Sequence, residues 1–210
     1  MLASYQTVKG NGEHELVIQK SRFVTNISRA ETEGEAQEFI QQIKKHYWDA
    51  THNCSAYLIG EHDQIQKAND DGEPSGTAGV PILEVLKKRK LKDAVIVVTR
   101  YFGGIKLGAG GLIRAYGSSA SEGLNHIGTV ERRLMQNIYV TVDYTLLGKL
   151  ENEIRKSNYT LKQIQFLENV TLEVLAEESN KQNLIDWLFD LSNGKAHFIE
   201  GELEYIEFKV

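Results

Sequence analysis

The sequence predicts an α+β protein built as two domains, and three observations carry that prediction. They are the order of its periodic segments, the uneven placement of its glycines and the uneven placement of its charge. Eleven of the 18 glycines fall between Gly72 and Gly128, and three lie beyond residue 136. Glycine costs backbone entropy on folding, so such crowding marks a part of the chain that needs tight turns or close backbone approach. Through residue 135 there are 17 Lys+Arg against 16 Asp+Glu, and from 136 onward 7 against 13. Apolar periodicity lapses over 128–136, where Glu131, Arg132 and Arg133 intervene. That stretch reads as a linker between a domain at 1–132 and a domain at 137–210.

The first domain opens with an extended segment over 13–27, where apolar and polar residues partly alternate. An acidic start at Glu31, Glu33 and Glu35 then leads into Ala36, Phe39, Ile40, Ile43 and Tyr47, an apolar stripe at helical spacing. A strand follows over 53–59, then a loop carrying DDGEPSGTAGVP at 70–81. Ser75 or Thr77 is expected to cap the next helix, whose buried side is Ile82, Val85 and Leu86. The run 94–98 is apolar at every position, as expected of a strand covered on both faces. Gly108–Ile127 reads as a helix burying Ile113, Tyr116, Ala120, Leu124 and Ile127.

The second domain gives a cleaner pattern. Strands are predicted at 137–143, 160–167, 170–176 and 197–208, with helices at 146–157 and Lys181–Leu191. The order β-α-β-β-α-β is that of a ferredoxin-like, split βαβ domain.

Composition narrows the function classes. Of 210 residues, 41% are hydrophobic and 25% charged, which is ordinary for a folded protein with a real core. No stretch approaches the roughly 18 continuous apolar residues of a membrane span, and the first residues lack the pattern of a secretory signal. A single cysteine, Cys54, excludes an internal disulfide, and together these features point to a cytoplasmic protein with no membrane partner. The net charge is −5, and the acidic second half repels phosphate, so any nucleic acid falls to the first half. Phosphate contacts of that kind carry no readout of DNA sequence.

The strongest chemical signal is TRYFGGIKLGAGGLIRAY at 99–116. A buried strand ends in Arg100, Tyr101 and Phe102; Gly103 and Gly104 turn the chain towards Lys106; Gly108, Gly110 and Gly111 open a helix that carries Arg114. Backbone N–H groups at a helix start point outward, glycines let an anion approach them, and Arg100, Lys106 and Arg114 supply cationic donors. The string is neither a Walker loop nor a dinucleotide fingerprint. The plain alternative is that these glycines serve turns and close helix–sheet packing.

Three weaker signals accompany it. Asp70, Asp71 and Glu73 are close enough in sequence to chelate magnesium, although Asp-Gly and Pro-Ser-Gly are also ordinary turn chemistry. A carboxylate facing Arg100 as a structural charge pair is a third reading. His52 and Cys54 share one face of a strand, which allows an activated thiol or, more plainly, packing. Lys87, Lys88 and Arg89 end a helix, where they can meet RNA phosphates or an acidic partner, or simply face solvent.

DDGEPSGTAGVP, TRYFGGIKLGAGGLIRAY and the upstream HNCSAY together resemble the IMPACT family, in particular its bacterial YigZ-like branch. The resemblance is close over 51–116 and looser elsewhere. It implies a first domain with the fold of the second domain of a small-subunit ribosomal protein, and a second domain like a C-terminal domain of elongation factor G. It also implies kinship with eukaryotic regulators of a starvation-responsive translation kinase, which carry a different extra domain. It supplies no reaction.

Three functions are therefore expected. The first is a non-catalytic regulatory protein that acts in translation through RNA or a ribosome-associated partner and needs no cofactor. The second is a nucleotide- or phosphate-binding enzyme using magnesium. The third is a protein–protein interaction module with Tyr101 and Phe102 as anchors.

Overall fold

The structure is a computed structural model that describes residues Met1–Val210. It holds ten strands and five helices in an α+β arrangement, as the sequence predicts. Two compact units divide the chain: Tyr5–Glu131 with Lys209–Val210, and Met1–Ser4 with Arg132–Phe208. No helix is long and apolar enough to cross a membrane.

The larger unit is built on a five-stranded antiparallel sheet. In chain order its strands are β2 (Gly12–Ile18), β3 (Ser21–Arg29), β4 (His52–Ile59), β5 (Ile65–Asn69) and β6 (Ala94–Tyr101). In space the order is β2-β3-β6-β4-β5, so β6 is central. Alternation along β6 explains its wholly apolar run. Val95 and Val97 pack on α1 (Glu33–His46), whereas Ala94, Ile96 and Val98 pack on α2 (Gly79–Lys88) and α3 (Gly108–Ile127). A three-layer helix–sheet–helix sandwich results.

The segment expected as one extended stretch over 13–27 is the β2–β3 hairpin, turning at Gln19 and Lys20, both at positive φ. α3 has the bounds the spacing predicts, but its buried stripe runs through Leu112, Ala115, Tyr116, Ser119, Ala120, Gly123 and Leu124. Ile113, expected inside, is 45% exposed, because Leu112 takes the inward position one residue earlier.

In the smaller unit β7 (Thr129–Val142), α4 (Tyr144–Lys156), β8 (Thr160–Phe166), β9 (Val170–Glu177), α5 (Lys181–Leu191) and β10 (His197–Lys209) follow the expected β-α-β-β-α-β order. β7 lies between β9 and β10, with β8 beyond β9, the strand order of a split βαβ sheet. The sheet's apolar face packs on Leu150 and Ile154 of α4 and on Leu184 and Leu188 of α5. β1 (Ser4–Val8) also pairs with β7. The stretch expected as a linker, 128–136, is strand from Thr129 onward. Its charged triplet hid the period-2 pattern, since Arg132 and Arg133 stack on Tyr205 and Phe208 instead of lying in solvent.

Candidate functional site

The two long motifs of the larger unit meet at one end of the sheet. Arg100, near the end of β6, lies opposite His52 on β4 and Phe23 on β3. It has the same facing as Val98, so its guanidinium enters the layer between the sheet and α3. There its Nη1 donates to Glu73 Oε1 at 2.6 Å, and its Nη2 to Ser21 Oγ at 3.3 Å. Tyr116, fully buried on α3, donates its hydroxyl to the same Glu73 oxygen at 2.8 Å. Arg100 and Glu73 are 5% and 8% exposed, so this is a buried ion pair. Phe23 and Phe102 flank the guanidinium, each ring centroid 5.5 Å away. His52 Nε2 stands 3.9 Å from Glu73 Oε2.

The aspartates of DDGEPSGTAGVP shape the loop and do not converge on a shared point. Asp70 accepts the N–H groups of Gly76, Ala78 and Gly79 at 2.8, 3.0 and 2.9 Å. It therefore caps α2 from a distance, while Thr77, expected as the cap, donates its hydroxyl to the Pro74 carbonyl. Burial alone pushes the Asp70 carboxyl up, but the three N–H bonds outweigh it and hold its pKa below the usual value. Asp71 binds Lys44 Nζ at 2.5 Å and the Asn53 N–H at 2.6 Å, and its carbonyl meets His52 Nδ1. With Glu73 held by Arg100 and Tyr116, the three carboxylates expected to chelate magnesium face three separate sets of donors.

Cys54 is buried, and its thiol donates to the Asp70 carbonyl at 3.0 Å. Burial pushes its pKa up to about 12, and the nearby acidic groups add to that. This overturns the reading of Cys54 as an activated nucleophile, because the thiolate is absent at ordinary pH. The Tyr116 hydroxyl is pushed up as well, by burial first and then by Cys54 and Glu73.

Other candidates divide between scaffold and surface. Tyr101 donates to Asp49 at 2.9 Å under the Arg22 guanidinium, which ties it to the scaffold. Arg89 straps α2 to α3 through Ser121 and Asn125, so it is not free for a ligand. Lys87 pairs loosely with Glu84 within α2, and Lys88 is exposed. Gly103 has a packing reason, since a Cβ there falls 2.0 Å from the Lys20 backbone. Gly104 and Gly108 have positive φ and open space around them. Lys106 and Arg114 are exposed, and neither has an ion-pair partner. Gly110 and Gly111 lie in the first turn of α3, which starts at Leu107 with no side-chain cap.

Two features were not legible in the sequence. A cavity of 250 Å³ opens at the start of α3, lined by Glu73, Pro74, Arg100, Phe102, Lys106 and the helix's first residues. A groove of 610 Å³ runs between α2 and α3 past Val80, Ile113, Lys88 and Arg114. Spacing brings the glycines and cations of one motif together, but nothing local says that Glu73 closes the floor.

A two-domain α+β protein with this motif pair defines a recognisable class. The Impact N-terminal domain matches residues 19–124, and a domain of unknown function (DUF1949) matches residues 140–195. The chain belongs to the IMPACT family. It is 66% identical over 207 residues to the IMPACT family member YvyE of Bacillus subtilis, covering 99% of this chain and 95% of that protein. Against the IMPACT family member YigZ of Escherichia coli it is 34% identical over 151 residues, 68% of this chain and 74% of the relative. A crystal structure of a hypothetical protein, 27% identical, superposes with a TM-score of 0.62 over 96% of this chain and 99% of the other.

Proposed function

We propose that the chain is a non-catalytic binding protein that acts in translation by docking on RNA, with the start of α3 as its contact surface. The observation that carries this is the pair of exposed, unpaired cations Lys106 and Arg114 beside the exposed ring of Phe102 and an uncapped helix start. Exposed cations bind phosphates by releasing counterions, and an exposed aromatic ring offers a base a stacking surface. Family membership supports translation as the setting, since the eukaryotic kin are regulators there. An enzymatic reading loses its support at the residues that would serve it, because Cys54, Asp71 and Glu73 are all committed to internal partners.

The test is filter binding of the purified chain to a structured RNA over a salt series, with Lys106→Ala/Arg114→Ala as the paired control. Affinity that falls with salt and drops in the double variant supports the reading. Binding indifferent to both, or none at low salt, ends it. A second reading, a protein partner, draws on Val80 and Ile113, which are 48% and 45% exposed in the α2–α3 groove. Capture that survives nuclease treatment and fails in Ile113→Asp favours that partner.

A further inference from the structure

We infer that the cavity at the start of α3 seats a terminal phosphomonoester, the 5′-phosphate of an RNA end or of a free nucleotide. The inference rests on the phosphate-binding surface proposed above and names the group that enters it. Arg100 is 95% buried, by its 5% exposure, and its Nε has no hydrogen-bond partner although Nη1 and Nη2 are both engaged. Leaving a buried charged donor unsatisfied is costly, and a native site that does so points to a ligand. Arg100 lines the cavity together with Lys106 and with Gly108 and Ala109, the first residues of α3.

The charge balance favours an anion. Glu73 also lines the cavity, but its carboxylate is matched by Arg100 at 2.6 Å and capped by Tyr116. What is left over is the Lys106 ammonium and the positive end of a 20-residue helix with no side chain on its free N–H groups. Gly108 adopts φ 67° with open space where a side chain would stand, so the backbone there is accessible.

Size and shape select the group. At 250 Å³ the cavity falls below the roughly 300–1,000 Å³ of sites that enclose a whole drug-sized ligand. It takes one tetrahedral group end-on, with the buried Glu73–Arg100 pair as its floor. An internal phosphodiester has chain on both sides and cannot enter that way. A terminal phosphate also carries about −1.5 to −2 charge and three acceptor oxygens, matching donors from Arg100, Lys106 and the helix start.

The experiment compares two pentauridylates, 3′-labelled and bearing a 5′-phosphate or a 5′-hydroxyl, by anisotropy with the full chain at one ionic strength. The phosphorylated strand is expected to bind at least ~10-fold more tightly. Ala109→Glu places a carboxylate on the exposed first turn, where it favours the helix and occupies the anion's place. It is expected to keep the melting temperature and abolish the preference. Arg100→Lys keeps the charge facing Glu73, removes Nε–H, and is expected to abolish it too. Uridine 5′-monophosphate that displaces the strand identifies free nucleotide as the source; a preference it cannot compete identifies the RNA end. Equal affinity for the two strands overturns the inference. If that equal binding still falls with salt and in Lys106→Ala/Arg114→Ala, the RNA surface stands without the cavity. Binding of neither strand overturns the inference as well, and the structured-RNA series then decides the surface separately.

Discussion

Glu73 and Arg100, 27 residues apart in the chain, meet at 2.6 Å in a layer from which water is excluded, with Tyr116 on the same carboxylate oxygen. The pair ties the DDGEP loop to the end of the central strand and to α3. Removing one partner leaves the other charged and buried, which costs about 3–5 kcal/mol. Glu73→Ala is therefore expected to destabilise the larger unit by that amount in urea denaturation followed by circular dichroism. The volume-matched double variant Glu73→Leu/Arg100→Met should lose much less, because no orphan charge remains. A Glu73→Ala loss below ~1 kcal/mol contradicts the buried-pair account.

What the sequence made legible, and what it hid, follows from how local each signal is. α3 and α5 were readable to the residue because apolar spacing and flanking glycine or polar residues fix helix ends locally. The β-α-β-β-α-β order of the smaller unit was equally open. Asp70 as the cap of α2 was hidden, since its acceptors' partners lie six to nine residues downstream across a loop. Ser75 and Thr77 stood at the usual capping distance and misled. The fate of the carboxylates was hidden for a related reason. Only the sheet order, with β6 between β3 and β4, brings Arg100 above the loop that follows β5.

Asp70 carries a pH dependence whose sign is fixed by its bonds. Its folded pKa lies below the ordinary 3.8, because three backbone N–H bonds outweigh burial. A depressed carboxyl stabilises the fold fully above its unfolded pKa, and that contribution is lost as pH falls through the lowered folded value. Asp70→Asn is expected to cost about 1–3 kcal/mol near neutrality. In thermal melts the gap between wild type and Asp70→Asn should close between about pH 4 and about pH 2. A gap that stays constant over that range rules out the charged cap.

Cys54 should be inert in the native chain. With its pKa pushed up to about 12 from 9.0, its thiolate fraction near neutrality is about a thousandfold smaller than that of a free thiol. Burial removes access as well. Iodoacetamide is expected to modify the chain only after denaturation, as read by intact mass. Stoichiometric labelling of folded protein within minutes would mean an open, acidic thiol and would reopen the nucleophile reading.

The glycines of the two motifs divide into those that pack and those that do not, and alanine separates them. A Cβ at Gly103 meets the Lys20 backbone at 2.0 Å, and one at Gly123 meets Thr25 Cγ2 at 2.7 Å. Gly117, in the middle of α3, has nothing within 4 Å. Gly117→Ala is expected to stabilise by about 0.5–1 kcal/mol through helix propensity. Gly103→Ala and Gly123→Ala are expected to destabilise by about 1–3 kcal/mol through overpacking. Gly103→Ala should also weaken RNA binding, because it displaces the turn that presents Lys106. Equal effects at Gly103 and Gly117 would show that backbone approach is not what requires glycine here.

The salt slope of RNA binding tests which cations meet phosphate. Each lysine or arginine that neutralises one phosphate contributes about 0.7–0.9 to the slope of log K against log salt. Lys106→Ala and Arg114→Ala are each expected to lower the slope by about that amount, and the double variant by about twice as much. Arg89→Ala is the informative comparison, since it also deletes a cation from this face of the unit. Its guanidinium is held by Ser121 and Asn125 at 2.8 and 2.7 Å, so its loss should lower the melting temperature and leave the slope unchanged. If Arg89→Ala lowers the slope as much as Lys106→Ala does, the contact is a diffuse response to net charge and not a surface centred on the start of α3.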